Sequence, residues 1–114
     1  MANTFKLVTK AGVPSSDVIY TPDSVTTVIL GLILGNTTTS QVTATVSLAS
    51  TTSSRAGDNN ENNQTVELIT NTPIPAGSSL ELLAGNKVVM ENNDALSVSA
   101  SGSTDVALSI MEIS

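Results

Sequence analysis

The stretch TVILGLILG at residues 27–35 decides the fold of this chain. In a β-strand, successive side chains point to opposite faces of the sheet. One face of this strand would carry the aliphatic residues Val28, Leu30, Leu32 and Leu34. The other face would alternate isoleucine with glycine, as Ile29, Gly31, Ile33 and Gly35. A strand that lies on a single core needs only one apolar face, so something other than that core has to cover the second one.

The rest of the chain also has the alternating pattern of β-strands. QVTATVSL at 41–48, ALSVSAS at 95–101 and the start of DVALSIMEI at 105–113 place apolar residues at every second position. Such runs are typical of half-buried strands, and no useful window has the spacing of an amphipathic helix. Strands are predicted near residues 5–9, 17–21, 24–36, 41–50, 64–70, 78–84, 87–90, 95–101 and 105–113.

Short strands joined by regular turns predict the fold class. With 114 residues the chain has the size of one domain. We predict a single all-β domain over residues 1–114, an antiparallel β-sandwich of about eight short strands. Periodicity does not distinguish a jelly-roll from an immunoglobulin-like topology, so both remain open.

A long polar segment, TTSSRAGDNNENN at 51–63, interrupts the strand pattern. Loops longer than about 12 residues are uncommon unless they are functional or flexible. The segment is therefore either a contact element, with Arg55 as its only cation, or a flexible tip. The sequence does not decide between the two.

The charge balance argues against two classes of partner. The net charge is -6, with only four cationic side chains. Binding to nucleic-acid phosphates or to an anionic membrane surface needs clustered Lys and Arg, which this chain lacks. No apolar stretch approaches the roughly 20 residues of a membrane-spanning helix, and the start MANTFKLVTKAG has no signal-peptide core. We expect no nucleic-acid partner, no membrane partner and no Sec-type export signal.

The sequence offers little for catalysis. Histidine and cysteine are absent, which removes the usual general base near neutral pH and all thiol chemistry. Serine is abundant, but no Ser-x-x-Lys arrangement is present to activate a serine nucleophile. The acidic residues fall mainly in predicted turns, where solvated charge explains them. We predict a protein that is not an enzyme and that has no cofactor.

Two oxygen-rich stretches are candidate metal ligands, DNNEN at 58–62 and ENND at 91–94. Calcium prefers such oxygen ligands. Neither stretch has the spacing of an EF-hand loop, and Asn and Asp are favoured in turns because their side chains bond to their own main chain. We expect turns here and no metal site.

A second apolar face recurs at the C-terminal end of the sequence. Met111 and Ile113 would face away from the side that carries Val106, Leu108 and Ile110. One explanation is that a loop or the N-terminal segment, with Phe5, Leu7 and Val8, folds across both strands. The other is that neighbouring subunits cover them. On the second explanation, the predicted protein-interface residues are Ile29, Ile33, Met111 and Ile113, with Arg55 in the long loop.

Four stretches carry a resemblance to a known group of proteins. They are an apolar strand ending in L-x-x-x-N at 32–36, PIPAGSSLE at 73–81, a G-N-K-V-V-M-E-x-x-D-x-L-x-V run at 85–98 and a closing LSIMEI at 108–113. Together they resemble small virion proteins of tailed bacteriophages, common in phages of marine cyanobacteria. The departure from the pattern is Asn86, inserted between Gly85 and Lys87, which lengthens a turn.

The resemblance implies a β-sandwich accessory protein of the phage head or tail, without catalytic residues. Within that group we expect a capsid decoration protein, made in the host cytoplasm and located in the virion, that stabilises the shell through contacts between subunits. Its partners would be the major capsid protein or tail proteins and copies of itself. A neck, tail or baseplate accessory protein is the first alternative. A host-receptor or carbohydrate-binding module is the second, although the chain has few aromatic residues to stack on sugars.

Overall fold

The computed structural model describes residues 3–13, 16–51, 64–83 and 87–114. These residues form two antiparallel sheets that pack as a sandwich, which confirms the predicted all-β class. No helix able to span a bilayer occurs within these ranges. The strands are β1 (Asn3–Val13), β2 (Asp17–Tyr20), β3 (Thr26–Asn36), β4 (Val42–Ser50), β5 (Gln64–Ile74), β6 (Ser79–Leu82), β7 (Val88–Met90), β8 (Ala95–Ala100) and β9 (Thr104–Ile113).

The strand order is that of a jelly roll. The first sheet runs β1-β9-β3-β6, with β7 also paired to β3, and the second sheet runs β2-β8-β4-β5. The antiparallel pairs β1/β9, β2/β8 and β4/β5 nest inside one another along the chain, with β3 pairing β6 and β7. This nested hairpin, wrapped into two sheets, is the topology of jelly-roll domains. The topology that periodicity left open is therefore resolved.

The core between the two sheets is almost entirely aliphatic. Burial of one Val, Leu or Ile side chain contributes roughly 1.5–3 kcal/mol, so these residues dominate the stability of the fold. Of the two aromatic residues, Phe5 is 71% exposed and lies outside this core. The buried apolar side chains are Val13, Ile29, Leu32, Leu34, Val42, Ala44, Val46, Ile74, Met90, Leu96, Val98, Ala100, Val106, Leu108 and Ile110.

A β-bulge at Leu30 divides β3 into two halves with opposite face assignments. Ile29 pairs with Ile110 and Gly31 pairs with Ser109, so Leu30 is an extra residue opposite two consecutive residues of β9. One inserted residue moves the following side chains to the other face of the sheet. Ile29 is consequently fully buried in the core. The prediction that Ile29 lies on the outer face and contributes to an interface is wrong for this reason.

A polar cluster closes the end of the sandwich where β1, β2, β3 and β9 meet. The Tyr20 hydroxyl lies 2.6 Å from Glu112 Oε2 and 2.7 Å from Thr27 Oγ1. Lys6 Nζ forms an ion pair with Glu112 Oε1 at 2.7 Å. The hydrogen bond from Lys6, followed by that from Tyr20, lowers the pKa of Glu112 below its ordinary value. Burial, reinforced by the hydrogen bond to Glu112, raises the pKa of Tyr20 to about 12.

This cluster predicts a loss of stability at both ends of the pH range. The pKa of Glu112 is lower in the folded state, so its contribution is complete above the ordinary glutamate pKa and is lost as the pH falls through the lowered value. The pKa of Tyr20 is higher in the folded state, so stability falls as the pH rises from its ordinary value towards 12. Urea unfolding followed by circular dichroism at a series of pH values measures this dependence. We expect the free energy of unfolding to fall less steeply at acid pH for Glu112→Gln and less steeply at alkaline pH for Tyr20→Phe. A pH dependence as steep as that of the wild type in these variants would contradict the assignment.

Candidate interaction surface on the first sheet

The outer face of the first sheet, turned away from the core, carries apolar side chains from four strands. Phe5 and Leu7 of β1 are 71% and 65% exposed, Ile33 of β3 is 44% exposed and Val89 of β7 is 55% exposed. The half-buried side chains Val28, Met111 and Ile113 share this face. We call these seven residues the apolar face.

Strand register joins part of the apolar face into a continuous row. Phe5 pairs with Met111 across β1 and β9, Met111 pairs with Val28 across β9 and β3, and Val28 pairs with Val89 across β3 and β7. Directly paired side chains lie on the same face of a sheet, about 4.5–5.5 Å apart. The row therefore crosses four strands without a polar side chain.

Two shallow hollows flank Ile33 on this face. One has a volume of about 290 Å³ and lies over Gly31 and Ser109, next to Leu7. The other has a volume of about 350 Å³ and lies over Gly35, bordered by Asp105. Both hollows exist because glycine and small residues alternate with Ile33 and leave no side chain beside it. The glycines that the sequence places in this strand thus shape its surface.

The outer face of the second sheet is different. Its outward positions on β4 and β8 are hydroxyl residues that alternate with buried Val, Ala and Leu. The exposed Val18 of β2, at 55%, pairs with Ser97 on this face. A hydroxyl-covered sheet is stable in water, whereas the first sheet exposes apolar surface. The outward hydroxyl residues are Thr43, Thr45, Ser47, Ser97 and Ser99.

The apolar face is as large as the largest apolar patch of a typical monomer. At the exposures given above, Phe5, Leu7, Ile33 and Val89 present roughly 400 Å² of surface, within the range of about 300–600 Å² that the largest patch of a monomer reaches and that is often functional. Two carboxylates border the apolar face: Asp105 pairs with Gly35 towards one end of the sheet, and Glu81 on the edge strand β6 pairs with Ile33. The row of Phe5 and Val89 at the other end carries no charge.

The structure brings together most of the predicted interface residues. Ile33, Met111 and Ile113 lie on one outer face, opposite the buried Val106, Leu108 and Ile110. Ile29 does not join them. Arg55, and all but Thr51 of the polar segment 51–63, lie outside the described residues. The role of Ile33, Met111, Ile113 and Arg55 as interface residues stays a prediction.

The N-terminal strand β1 does not cover this face, which contradicts the explanation that the N-terminal segment folds across it. The other form of that explanation, in which a loop covers the face, is not tested for residues 52–63 and 84–86, which lie outside the described residues. β1 lies beside β9, so Phe5 and Leu7 extend the apolar face while Val8 packs against the core. Phe5, Leu7, Val28 and Val89 were missed as members of the face. The alternation of Phe5 and Leu7 was visible in the sequence, but the pairing that places them beside Met111 was not.

The described residues hold no cluster of side chains typical of a metal centre. Within these ranges, no group of three or more His, Cys, Asp or Glu side chains is placed to hold a metal ion. Glu91 and Asp94 of the predicted ENND turn act structurally: the Asp94 carboxylate accepts hydrogen bonds from the Glu91 and Thr51 amides at 2.9 Å each.

Comparison with known proteins gives only distant similarities. No family model matches the chain, and no curated protein matches it. A solved structure of Bacillus endospore appendages, described as disulfide-linked pili, is similar over 96% of this chain and 85% of that one, with 12% identity and a TM-score of 0.43. This chain has no cysteine for such links.

Two structures of infectious bursal disease virus are also similar over 96% of this chain. The Gx strain structure shares 11% identity, with a TM-score of 0.38 and 37% of its chain covered. The T13 viral particle shares 12% identity, with a TM-score of 0.26 and 35% of its chain covered. This chain thus spans about a third of those viral chains. The TM-scores are too low for any of these similarities to support a functional conclusion.

Proposed function

We propose that this chain is a non-enzymatic structural protein of a tailed-phage virion, a capsid decoration protein that stabilises the shell by docking its apolar face on neighbouring protein. The observation that carries the proposal is the contrast between the two sheets. The second sheet presents hydroxyl groups to water, while the first presents an uncharged row across four strands. We expect such a face to be buried against other protein.

Burial of the apolar face offsets much of the free-energy cost of association. Burying about 400 Å² of apolar surface at about 25 cal/mol per Å² contributes roughly 10 kcal/mol from this chain's side alone. That gain is comparable with the cost of association, about 4–15 kcal/mol. A protein that binds only the assembled shell stabilises it by mass action. Many copies distributed over the shell would therefore oppose the pressure of packaged DNA.

The stretches that carry the phage resemblance support one another in space. Asn36, which ends the L-x-x-x-N stretch, donates from Nδ2 to the carbonyls of Ile74 and Pro75 in the PIPAG stretch, at 2.9 and 3.2 Å. Glu112 of the closing stretch belongs to the polar cluster with Tyr20. Residues of these stretches thus stabilise the jelly roll of this chain. The proposed placement in a virion depends on the resemblance itself.

Incorporation into particles tests the proposal. Val89 and Val18 are each 55% exposed, on the outer faces of the first and second sheets. In phage carrying Val89→Asp, we expect at least a tenfold drop in copies per purified particle, measured by quantitative mass spectrometry, whereas Val18→Asp should leave the number unchanged. Hundreds of copies per particle would place the wild-type protein in the head, and a few dozen or fewer would place it in the neck, tail or baseplate. Its absence from purified particles would overturn the proposal.

A further inference from the structure

We propose that the partner seated on the apolar face is a second copy of this chain, in a face-to-face dimer in which Ile33 of each copy enters the hollow over Gly31 of the other. This inference rests on the proposed function, because it names the partner of the same surface. The contact is two-fold symmetric, so every interaction occurs twice.

The face is complementary to itself. A two-fold interface requires that the patch carrying a projecting side chain also carry the hollow that receives it. Ile33 projects from β3 with 44% of its surface exposed, and the hollow over Gly31 and Ser109 lies next to it on the same face. A Cβ atom placed on Gly31 would have no atom within 4 Å, so this space is open for a side chain from outside.

The positions of the charges define the direction of stacking. Asp105 pairs with Gly35 towards one end of the sheet, in a chain of net charge -6, while Glu81 lies beside Ile33 on the edge strand β6. Parallel stacking would bring the Asp105 carboxylates of both copies to the same end of the dimer, which is unfavourable. Antiparallel stacking places the Asp105 end of each copy opposite the uncharged row of Phe5, Met111 and Val89 in the other. The Asp105 carboxylates then lie at opposite ends of the dimer and each Glu81 lies at a lateral edge, where the rim of an interface is polar and solvated.

The sheet has the area that a stable dimer needs. Four strands spaced about 4.8 Å apart, with β3 and β9 rising about 3.3 Å per residue, give a face of roughly 20 by 35 Å. A standard interface buries about 800 Å² per partner, with a core depleted in charged residues. The face matches that footprint, and its centre carries Ile33, Gly31 and Ser109, with Glu81 beside them on the edge strand β6.

Sedimentation velocity on the purified chain tests the dimer. We expect a wild-type dimer at micromolar concentration and a dissociation constant at least tenfold higher for Gly31→Val, because the valine fills the hollow. The same valine should leave the unfolding midpoint of the monomer unchanged or raised, because a central glycine weakens a strand and the new Cβ meets no atom. Ile33→Asp should also dissociate the dimer, and Val18→Asp should leave it intact.

Several outcomes would overturn the inference: a wild-type monomer at ~100 μM, an oligomer larger than a dimer, or a Gly31→Val dimer of undiminished affinity. The outcomes for the dimer and for the proposed function are separable. A protein that is monomeric in solution yet present in particles contradicts the dimer and leaves the virion function standing. A protein that forms the dimer but is absent from purified particles contradicts the virion function and leaves the dimer standing.

Discussion

Asn36→Ala is expected to lower the free energy of unfolding by about 3 kcal/mol. The side chain is 4% exposed, and its Nδ2 lies 2.8 Å from the carbonyl oxygen of Ser40, 2.9 Å from that of Ile74 and 3.2 Å from that of Pro75. Each net hydrogen bond contributes about 0.5–1.5 kcal/mol, and a buried polar group left without a partner costs about 1–3 kcal/mol. The truncation causes both losses at once.

The geometry of Asn36 explains why this one side chain has so large an expected effect. Its Oδ1 accepts the Thr38 amide at 2.9 Å, which shapes the loop between β3 and β4, while its amide group holds the turn after β5. One residue thus joins two connections that lie far apart along the chain. No apolar replacement can supply both a donor and an acceptor at this point.

Urea unfolding of two further variants makes the Asn36 prediction specific. Asn36→Asp keeps an acceptor for Thr38 but loses the donors, so we expect a loss of stability at least as large as that of the alanine variant. Asn3→Ala replaces an exposed asparagine of β1 and should change the free energy by less than about 0.5 kcal/mol. A loss below about 1 kcal/mol for both Asn36 variants would contradict the role assigned to this side chain.

Alternation was sufficient to predict strands with one polar face. In β4 the buried residues are Val42, Ala44 and Val46, as the pattern at 41–48 indicates, and threonine and serine occupy the outward positions. β9 likewise buries Val106 and turns Met111 away from the core. In such strands only one register buries the apolar residues, so the sequence specifies the faces without knowledge of the partner strands.

Alternation failed where both faces are apolar. In β3 an inserted residue moves one set of aliphatic side chains outward and another inward, and the sequence pattern is equally compatible with either arrangement. The bulge at Leu30 is defined by pairing with Ile110 and Ser109, about 80 residues away along the chain. The same limit applies to β1, whose position beside β9 places Phe5 next to Met111. Long-range register is a property of the assembled sheet and is not visible in a local pattern.

β5 shows the same limit at a sheet edge. The strand predicted near 64–70 ends before Pro73, yet β5 runs from Gln64 to Ile74 and includes this proline. Proline lacks the amide hydrogen that a central strand must donate, but an edge strand can hold it with that position turned to solvent. β5 is an edge strand of the second sheet, so the ladder to β4 tolerates Pro73.

Ile29→Ala is expected to lower the free energy of unfolding by about 2–5 kcal/mol, the range for truncating a large aliphatic side chain in a core. Ile29 has no exposed surface. Ile33→Ala makes the same chemical change four residues further along β3, where the side chain is 44% exposed, and should change the free energy of the monomer by less than about 1 kcal/mol. Urea unfolding followed by circular dichroism, at a concentration low enough to exclude association, compares the two.

The difference between these two variants measures the bulge directly. In a regular strand, residues four apart lie on the same face, so without the bulge Ile29 and Ile33 would have the same environment and the two truncations the same effect. With the bulge at Leu30, one isoleucine belongs to the core and the other to the apolar face. Equal losses of unfolding free energy would therefore contradict both the bulge and the hollow beside Ile33. A larger loss for Ile29→Ala than for Ile33→Ala would support the bulge and, with it, a position of Ile33 that a partner can contact.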